Sequence, residues 1–125
     1  MKKREVDIIM PERHITKPPL HIETADNFIR RFIGLMGRKN MPDDYGLLIY
    51  PCNSIHMCFM RFAIDAVYLD KQYTIIKIVE NLRPWLGISA CWKARAVLEV
   101  AAGTAERYKY VVGMKLPVNN KTTYF

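Results

Sequence analysis

The feature that most constrains this chain is a series of short apolar runs separated by turn residues. Six such runs follow Gly46, and each is four to seven residues long, the usual length of a β-strand. Only residues 26–36 instead repeat their apolar side chains every three to four positions, as one face of an α-helix does. Six strand-like runs against one helical segment predict a mainly β (α+β) fold with one covering helix. The predicted strands are residues 47–50, 54–59, 64–69, 74–79, 94–100 and 110–116.

The two ends of the chain differ in composition from its middle. Residues 1–19 mix apolar and charged side chains and finish at the pair Pro18-Pro19, which indicates an N-terminal arm or an edge strand. Residues 117–125 are polar and predict a C-terminal tail. A single globular domain is therefore expected over residues 20–116.

Three shorter segments complete the prediction. Residues 20–24 alternate between apolar and polar side chains, which is the period of a half-buried strand. Residues 81–93 contain proline, glycine and two tryptophans and predict a long loop. Residues 101–106 are rich in alanine and predict one helical turn.

Length, charge and cysteine content limit the classes of function. The 125 residues suffice for one domain, and the net charge of +7 favours anionic partners. The apolar stretch after Lys2 ends at Met10, too short for a secretory signal, and no run approaches the roughly 20 apolar residues that cross a bilayer. We therefore expect a soluble cytoplasmic protein without membrane association. Three cysteines in such a protein do not predict a disulfide framework.

Two thiols and an imidazole lie close together in the chain. On an extended strand Cys52, His56 and Cys58 share one face, and thiolate and imidazole are ligands that zinc prefers. Cys52 and Cys58 are nevertheless about 20 Å apart on a regular strand, too far for one metal ion. A metal-dependent or thiol enzyme is therefore an alternative hypothesis, and no catalytic residue, metal or cofactor is predicted. Buried thiols and a hydrogen-bonded histidine are the simpler interpretation.

Two carboxylates bracket one predicted strand. Asp70 fits a turn residue that binds its own backbone. Asp65 lies among apolar residues, and a buried carboxylate needs a partner, for which Arg31, Arg61 and His56 are candidates. Such a pair would either lock the fold or bind a ligand, and the sequence leaves both open.

Aromatic and basic side chains raise the question of nucleic acid. Trp85, Trp92, Tyr108 and Tyr110 could stack on bases. The basic residues are, however, spread along the chain, and no nucleic-acid-binding motif is present. Weak, non-specific nucleic-acid binding is therefore a second alternative that the sequence does not favour.

Several ordered motifs resemble the family called domain of unknown function 192. They are Arg31-Phe32-Ile33-Gly34-Leu35-Met36, the run from Ser54 to Met60, the run from Ile64 to Asp70, Leu82-Arg83-Pro84-Trp85, Ala96-Val97-Leu98-Glu99 and Ala101-Ala102-Gly103. The resemblance implies a compact two-layer β-sandwich or jelly-roll-like barrel whose covering helix lies at about 26–36. It implies no activity. Its motif residues in this chain are Arg31, Gly34, Leu35, Met36, His56, Met60, Asp65, Asp70, Glu99 and Gly103.

Polar residues inside these apolar motifs suggest a site. We expect a small binding or accessory protein, and not an enzyme, with a pocket formed by Arg31, His56, Met60 and Asp65. Arg31 would bind an anionic group, His56 would form a hydrogen bond, and Asp65 would orient one of them. The expected partner is a small anionic ligand or another protein. Gly34, Leu35, Met36, Asp70, Glu99 and Gly103 are expected to be structural.

Overall fold

The computed structural model describes residues 4–8, 20–25, 40–57, 60–116 and 118–124. Strands dominate these residues, and the single described helix is one turn long, so the predicted mainly β fold is confirmed. The elements in chain order are β1 (Arg4–Ile8), β2 (Leu20–Ala25), β3 (Tyr45–Ile49), β4 (Ser54–His56), β5 (Ile64–Leu69), β6 (Ile75–Leu82), β7 (Ile88–Ala90), β8 (Ala96–Ala101), α1 (Thr104–Arg107) and β9 (Val118–Tyr124).

The strands form two sheets of unequal size. The main sheet has seven strands in the order β6-β5-β8-β3-β2-β1-β9, and β4 pairs with β7 in a second, two-stranded sheet. β2 and β3 run parallel, and the other pairs run antiparallel. Both sheets are open within the described residues, so the fold there is sandwich-like and not a closed barrel.

Apolar side chains cover both faces of the main sheet. Every residue of β3, β5 and β8 is buried, which explains why their sequences are apolar apart from Asp65 and Glu99. The sandwich core lies between the two sheets and contains Met41, Tyr45, Leu47, Ile49, Cys52, Ile55, Met57, Met60, Ile64, Ala66, Tyr68, Leu82, Ala94, Val97 and Ala101. The helix-side core lies on the opposite face and contains Leu20, Ile22, Leu48, Val67, Leu69, Ile75, Ala96, Leu98, Val100, Ala105, Tyr108, Tyr110 and Leu116.

One predicted strand is wrong. Residues 110–116 form turns. Their β-type pairing is limited to one isolated bridge, between Thr74 and Lys115. Lys109 (φ 56°) and Gly113 (φ 97°) have left-handed backbone conformations, which break an extended strand. The segment is apolar because Tyr110 and Leu116 cover the helix-side core.

The other predictions agree in part with the described elements. The predicted strand at 64–69 matches β5, and the predicted helical turn is α1. The segment predicted as a long loop, residues 81–93, also contains β7 and the end of β6. The covering helix predicted at about 26–36 lies outside the described residues.

The two ends of the chain add neighbouring strands to the main sheet. β1 comes from the segment predicted as an arm or edge strand, and it pairs with β2 on one side and β9 on the other. β9 comes from the segment predicted as a tail and forms one edge of the sheet. β6 forms the opposite edge.

Candidate functional site

A cleft of about 320 Å³ opens where two connections of the chain meet. One connection joins β3 to β4, and the other joins β7 to β8. We call it the 51–95 cleft, and it is lined by Pro51, Cys52, Asn53, Trp92, Ala94 and Arg95.

Backbone hydrogen bonds hold the two connections of the 51–95 cleft together. The N–H of Cys52 donates to the carbonyl oxygen of Arg95 at 3.0 Å, and the N–H of Cys91 donates to that of Asn53 at 2.8 Å. The N–H of Arg95 also donates to the carbonyl oxygen of Leu69, at 2.8 Å, which ties the cleft to β5. Ligand sites are usually largely formed before the ligand arrives, and this frame meets that condition.

The side chains of the cleft suit an anion. Arg95 is exposed, and the described lining contains no carboxylate. Trp92 is 91% exposed and therefore presents its indole to solvent. Cys52 is buried, and its thiol donates to the carbonyl oxygen of Ser54 at 3.0 Å. The cleft lining thus includes an exposed arginine, an asparagine, an exposed tryptophan and a buried cysteine.

A group of polar side chains lies beneath the β4–β7 sheet. The hydroxyl groups of Tyr68 and Ser89 are 2.5 Å apart and hydrogen-bonded. Burial raises the pKa of Tyr68, and the hydrogen bond to Ser89 opposes part of that rise. The phenol therefore stays protonated at neutral pH, so it serves as a hydrogen-bonding group and not as a base. Lys77 places its Nζ atom 5.9 Å from the centre of the Tyr68 ring and donates to the carbonyl oxygen of Ala90 at 2.8 Å.

Asp65 is fully buried and binds backbone amides. Its Oδ1 atom accepts the N–H of Asn81 at 2.8 Å, and its Oδ2 atom accepts those of Gly103 and Ala105, each at 3.0 Å. The carboxylate therefore joins the end of β6 to the connection between β8 and α1. These partners are main-chain groups, whereas the sequence suggested the side chains of Arg31, Arg61 or His56.

Comparison with known proteins identifies the family. The sequence matches the profile of DUF192, described as "Uncharacterized ACR", over residues 11–118. The chain belongs to this family. UPF0127 proteins of Pyrococcus furiosus and Pyrococcus abyssi are both 32% identical to it, over 105 and 114 residues. The first alignment covers 80% of this chain and 88% of the relative, and the second covers 87% and 95%.

Two solved structures share the fold of this DUF192 chain. One, from Sinorhizobium meliloti 1021, is provisionally described as a transcription regulator and is 27% identical, with a TM-score of 0.77 over 94% of each chain. The other is a protein of unknown function from Novosphingobium aromaticivorans DSM 12444. It is 21% identical, with a TM-score of 0.72 over 90% of this chain and 83% of its own, and it supports the fold alone.

The structure separates two of the residues that the sequence grouped into a pocket, Asp65 and Met60. Met60 lies in the sandwich core, and His56 is half-buried on β4 in the second sheet. Asp65 pairs in register with Val100, a member of the helix-side core, and its carboxylate reaches the amides before and within α1. The main sheet therefore stands between the Asp65 carboxylate and Met60. Arg31 lies outside the described residues, as do Gly34, Leu35 and Met36.

Asp70, Gly103 and Glu99 are the remaining family residues that the structure describes. Asp70 accepts the N–H groups of Gln72 and Thr74 at 2.8 and 3.0 Å, as expected of a turn residue. Gly103 has φ 94° and precedes α1, a conformation that favours glycine. Glu99 is fully buried at the centre of β8. In the sequence, the position of Glu99 inside the apolar run of β8 is the feature that indicates its burial.

The structure describes two of the three cysteines that the metal hypothesis considers. Cys52 and Cys91 are free thiols, and Cys58 lies outside the described residues. Within the described ranges no three histidine, cysteine, aspartate or glutamate side chains are placed to hold a metal ion. The described part of the chain also contains no helix long and apolar enough to span a membrane.

Sequence reasoning did not find the 51–95 cleft. The sequence did not single out Asn53 and Arg95, and it suggested Trp92 only as a loop residue that could stack on bases. The available signal was the sequence from Cys91 to Arg95, in which a tryptophan stands beside two basic residues and no acid. That signal gains meaning only when β4 and β7 pair and bring the two connections together.

Proposed function

We propose that this chain is a small binding or accessory protein whose ligand carries an anionic group and binds in the 51–95 cleft. The observation that supports the proposal most directly is the exposed Arg95 on a hydrogen-bonded backbone frame, with no carboxylate in the described lining. A guanidinium binds carboxylate and phosphate groups through two parallel hydrogen bonds. A cation on this backbone frame selects for anions.

The ligand proposed for the cleft is small and has a flat apolar part. A volume of about 320 Å³ is near the lower end of the range for ligand pockets. Trp92 offers an aromatic face, and Pro51 offers a second apolar ring. Aromatic carboxylates and mononucleotides share the required chemistry, because each joins an anionic group to a planar ring.

The pocket expected around Arg31, His56, Met60 and Asp65 remains a prediction for Arg31 and His56. In the present proposal Asp65 has a structural role, because its carboxylate already accepts three backbone N–H groups. Arg95 takes the anion-binding role that the sequence analysis gave to Arg31.

The test is a calorimetric titration of the purified chain with inorganic phosphate, benzoate and a mononucleotide. Arg95→Gln should weaken binding of the active compound about tenfold or more, because the charged donor is lost. Lys71→Gln is the matched control, since it removes one positive charge from an exposed turn between β5 and β6. Equal affinity of wild type and Arg95→Gln, or no binding of any of the three compounds, would refute the proposal.

Weak nucleic-acid binding is a second candidate. It is supported by the net charge of +7 and by the provisional description of the Sinorhizobium meliloti relative as a transcription regulator. A single-stranded oligonucleotide added to the same titration tests it. Binding that disappears as salt rises and that does not depend on Arg95 would favour a general charge effect over the cleft.

A further inference from the structure

Three large apolar side chains are exposed on the connection between β6 and β7 and at the first residue of β7. Trp85 is 54% exposed, Leu86 80% and Ile88 77%. We call these three residues the Trp85 patch. Large apolar side chains that are exposed close together in the chain commonly mark a contact with another molecule.

The backbone holds the Trp85 patch in place. The N–H of Trp85 donates to the carbonyl oxygen of Met57 at 2.8 Å, and the N–H of Met57 donates to that of Gly87 at 2.9 Å. Trp85 has φ 65°, a left-handed conformation that side-chain-bearing residues rarely adopt. Strained conformations of this kind persist where the surrounding structure enforces them, often at functional positions. The exposure of the patch is therefore a fixed property of the fold.

The surface beside the patch carries balanced charge. A groove of about 320 Å³ is lined by Glu80, Asn81, Leu82, Arg83, Leu86, Gly87 and Ile88. Its lining contains one acid and one base, whereas the whole chain carries a charge of +7. Two positively charged copies of the chain would meet with the least repulsion at a surface that is locally neutral.

We infer that the Trp85 patch is the contact through which two copies of this chain form a symmetric dimer. In a two-fold contact the same surface of each copy faces the other. Glu80 of each copy can therefore pair with Arg83 of the other, which gives two equivalent ion pairs. The apolar patch then forms the centre of the contact and the charged pair its rim, which is the usual arrangement of an interface. This inference is independent of the ligand proposed for the 51–95 cleft.

The edge of the main sheet extends this contact surface. A stable interface buries roughly 800 Å² on each partner, more than three side chains provide. Among the described strands β6 pairs only with β5. Its first residue, Ile75, also bonds to Gly113 and Met114, but the rest of its outer edge, up to Leu82 at the patch, has no strand partner within the described residues. The contact is thus expected to run from the patch along β6.

Sedimentation equilibrium of the full chain over a wide concentration range tests the dimer. The wild-type chain should exceed its monomer mass of 14.6 kDa as concentration rises. Leu86→Lys or Ile88→Lys should raise the dimer dissociation constant about tenfold or more, because each places a charge at the centre of the contact. Both side chains are exposed, so folding should be preserved, and circular dichroism checks this. The matched control is Val112→Lys, a residue that is 63% exposed on the turn between α1 and β9.

Charge exchange provides the second test. Glu80→Arg and Arg83→Glu should each weaken the dimer, and the chain carrying both changes should regain it, because the pair is restored with its signs reversed. A wild-type chain that stays monomeric at every concentration would overturn the inference. So would equal weakening by Val112→Lys, or a double variant no stronger than either single one.

Discussion

Replacing Asp65 with asparagine should destabilise the fold strongly without changing the 51–95 cleft. The carboxylate offers two oxygens to three backbone donors, those of Asn81, Gly103 and Ala105. An asparagine has only one side-chain oxygen. In its most favourable orientation that oxygen still accepts the N–H groups of Gly103 and Ala105. The NH₂ group then faces the N–H of Asn81, and two donors cannot bond to each other.

The cost follows from the hydrogen bonds that change. Two bonds lose the negative charge of their acceptor, which weakens each by about 1 kcal/mol, and the N–H of the exposed residue Asn81 loses a part-buried acceptor, which costs about 1–2 kcal/mol. Relief from burying a charge offsets part of this sum. We expect a net loss of about 2–4 kcal/mol in the free energy of unfolding, which for a domain of this size lowers the Tm by roughly 10 °C.

Urea unfolding monitored by circular dichroism, together with thermal melting, measures this loss. Asp70→Asn is the matched control, because the Asp70 side chain accepts both of its N–H groups at one oxygen, which asparagine also has. It should cost less than about 1 kcal/mol. A similar loss for both variants would refute this hydrogen-bond argument. An Asp65→Asn chain that is stable but no longer binds the anionic ligand would show that Asp65 serves a pocket and not the fold.

Three further predictions concern buried groups. Tyr110→Phe should leave stability unchanged or raise it by up to about 1 kcal/mol in urea unfolding, because its buried hydroxyl has no hydrogen-bond partner among the described residues; a clear loss would contradict this. Burial raises the pKa of Tyr68, Tyr108 and Tyr110 above the ordinary value of 10.0, so the folded chain keeps protons that the unfolded chain releases. The free energy of unfolding should therefore hold just below pH 10 and fall above it, and a fall no smaller in Tyr110→Phe would exclude that residue as a contributor. Gly87→Ala should cost about 1–3 kcal/mol, because the added Cβ would lie 2.6 Å from the carbonyl oxygen of Arg83, and an unchanged Tm would contradict this geometry.

Strand prediction succeeded where side-chain chemistry and backbone pairing agree. β5 was predicted at its observed bounds, because a strand buried on both faces has a nearly continuous apolar sequence, which Asp65 alone interrupts here. Residues 110–116 have similar composition but form turns. Their apolar side chains serve the helix-side core, while their backbone bonds locally and to residues 73–75. Apolar content alone reports burial and does not report where the backbone hydrogen bonds go.

The sequence by itself determined the family, the mainly β composition, the excess of positive charge and the need of Asp65 for a buried partner. The tertiary structure decided which groups bind the Asp65 carboxylate, because the N–H groups of Asn81, Gly103 and Ala105 lie 16 to 40 positions further along the chain. It also formed the 51–95 cleft from two connections that meet only when β4 pairs with β7. Local patterns in a sequence record burial and periodicity, whereas these contacts depend on strand pairing between distant segments, which no local pattern encodes.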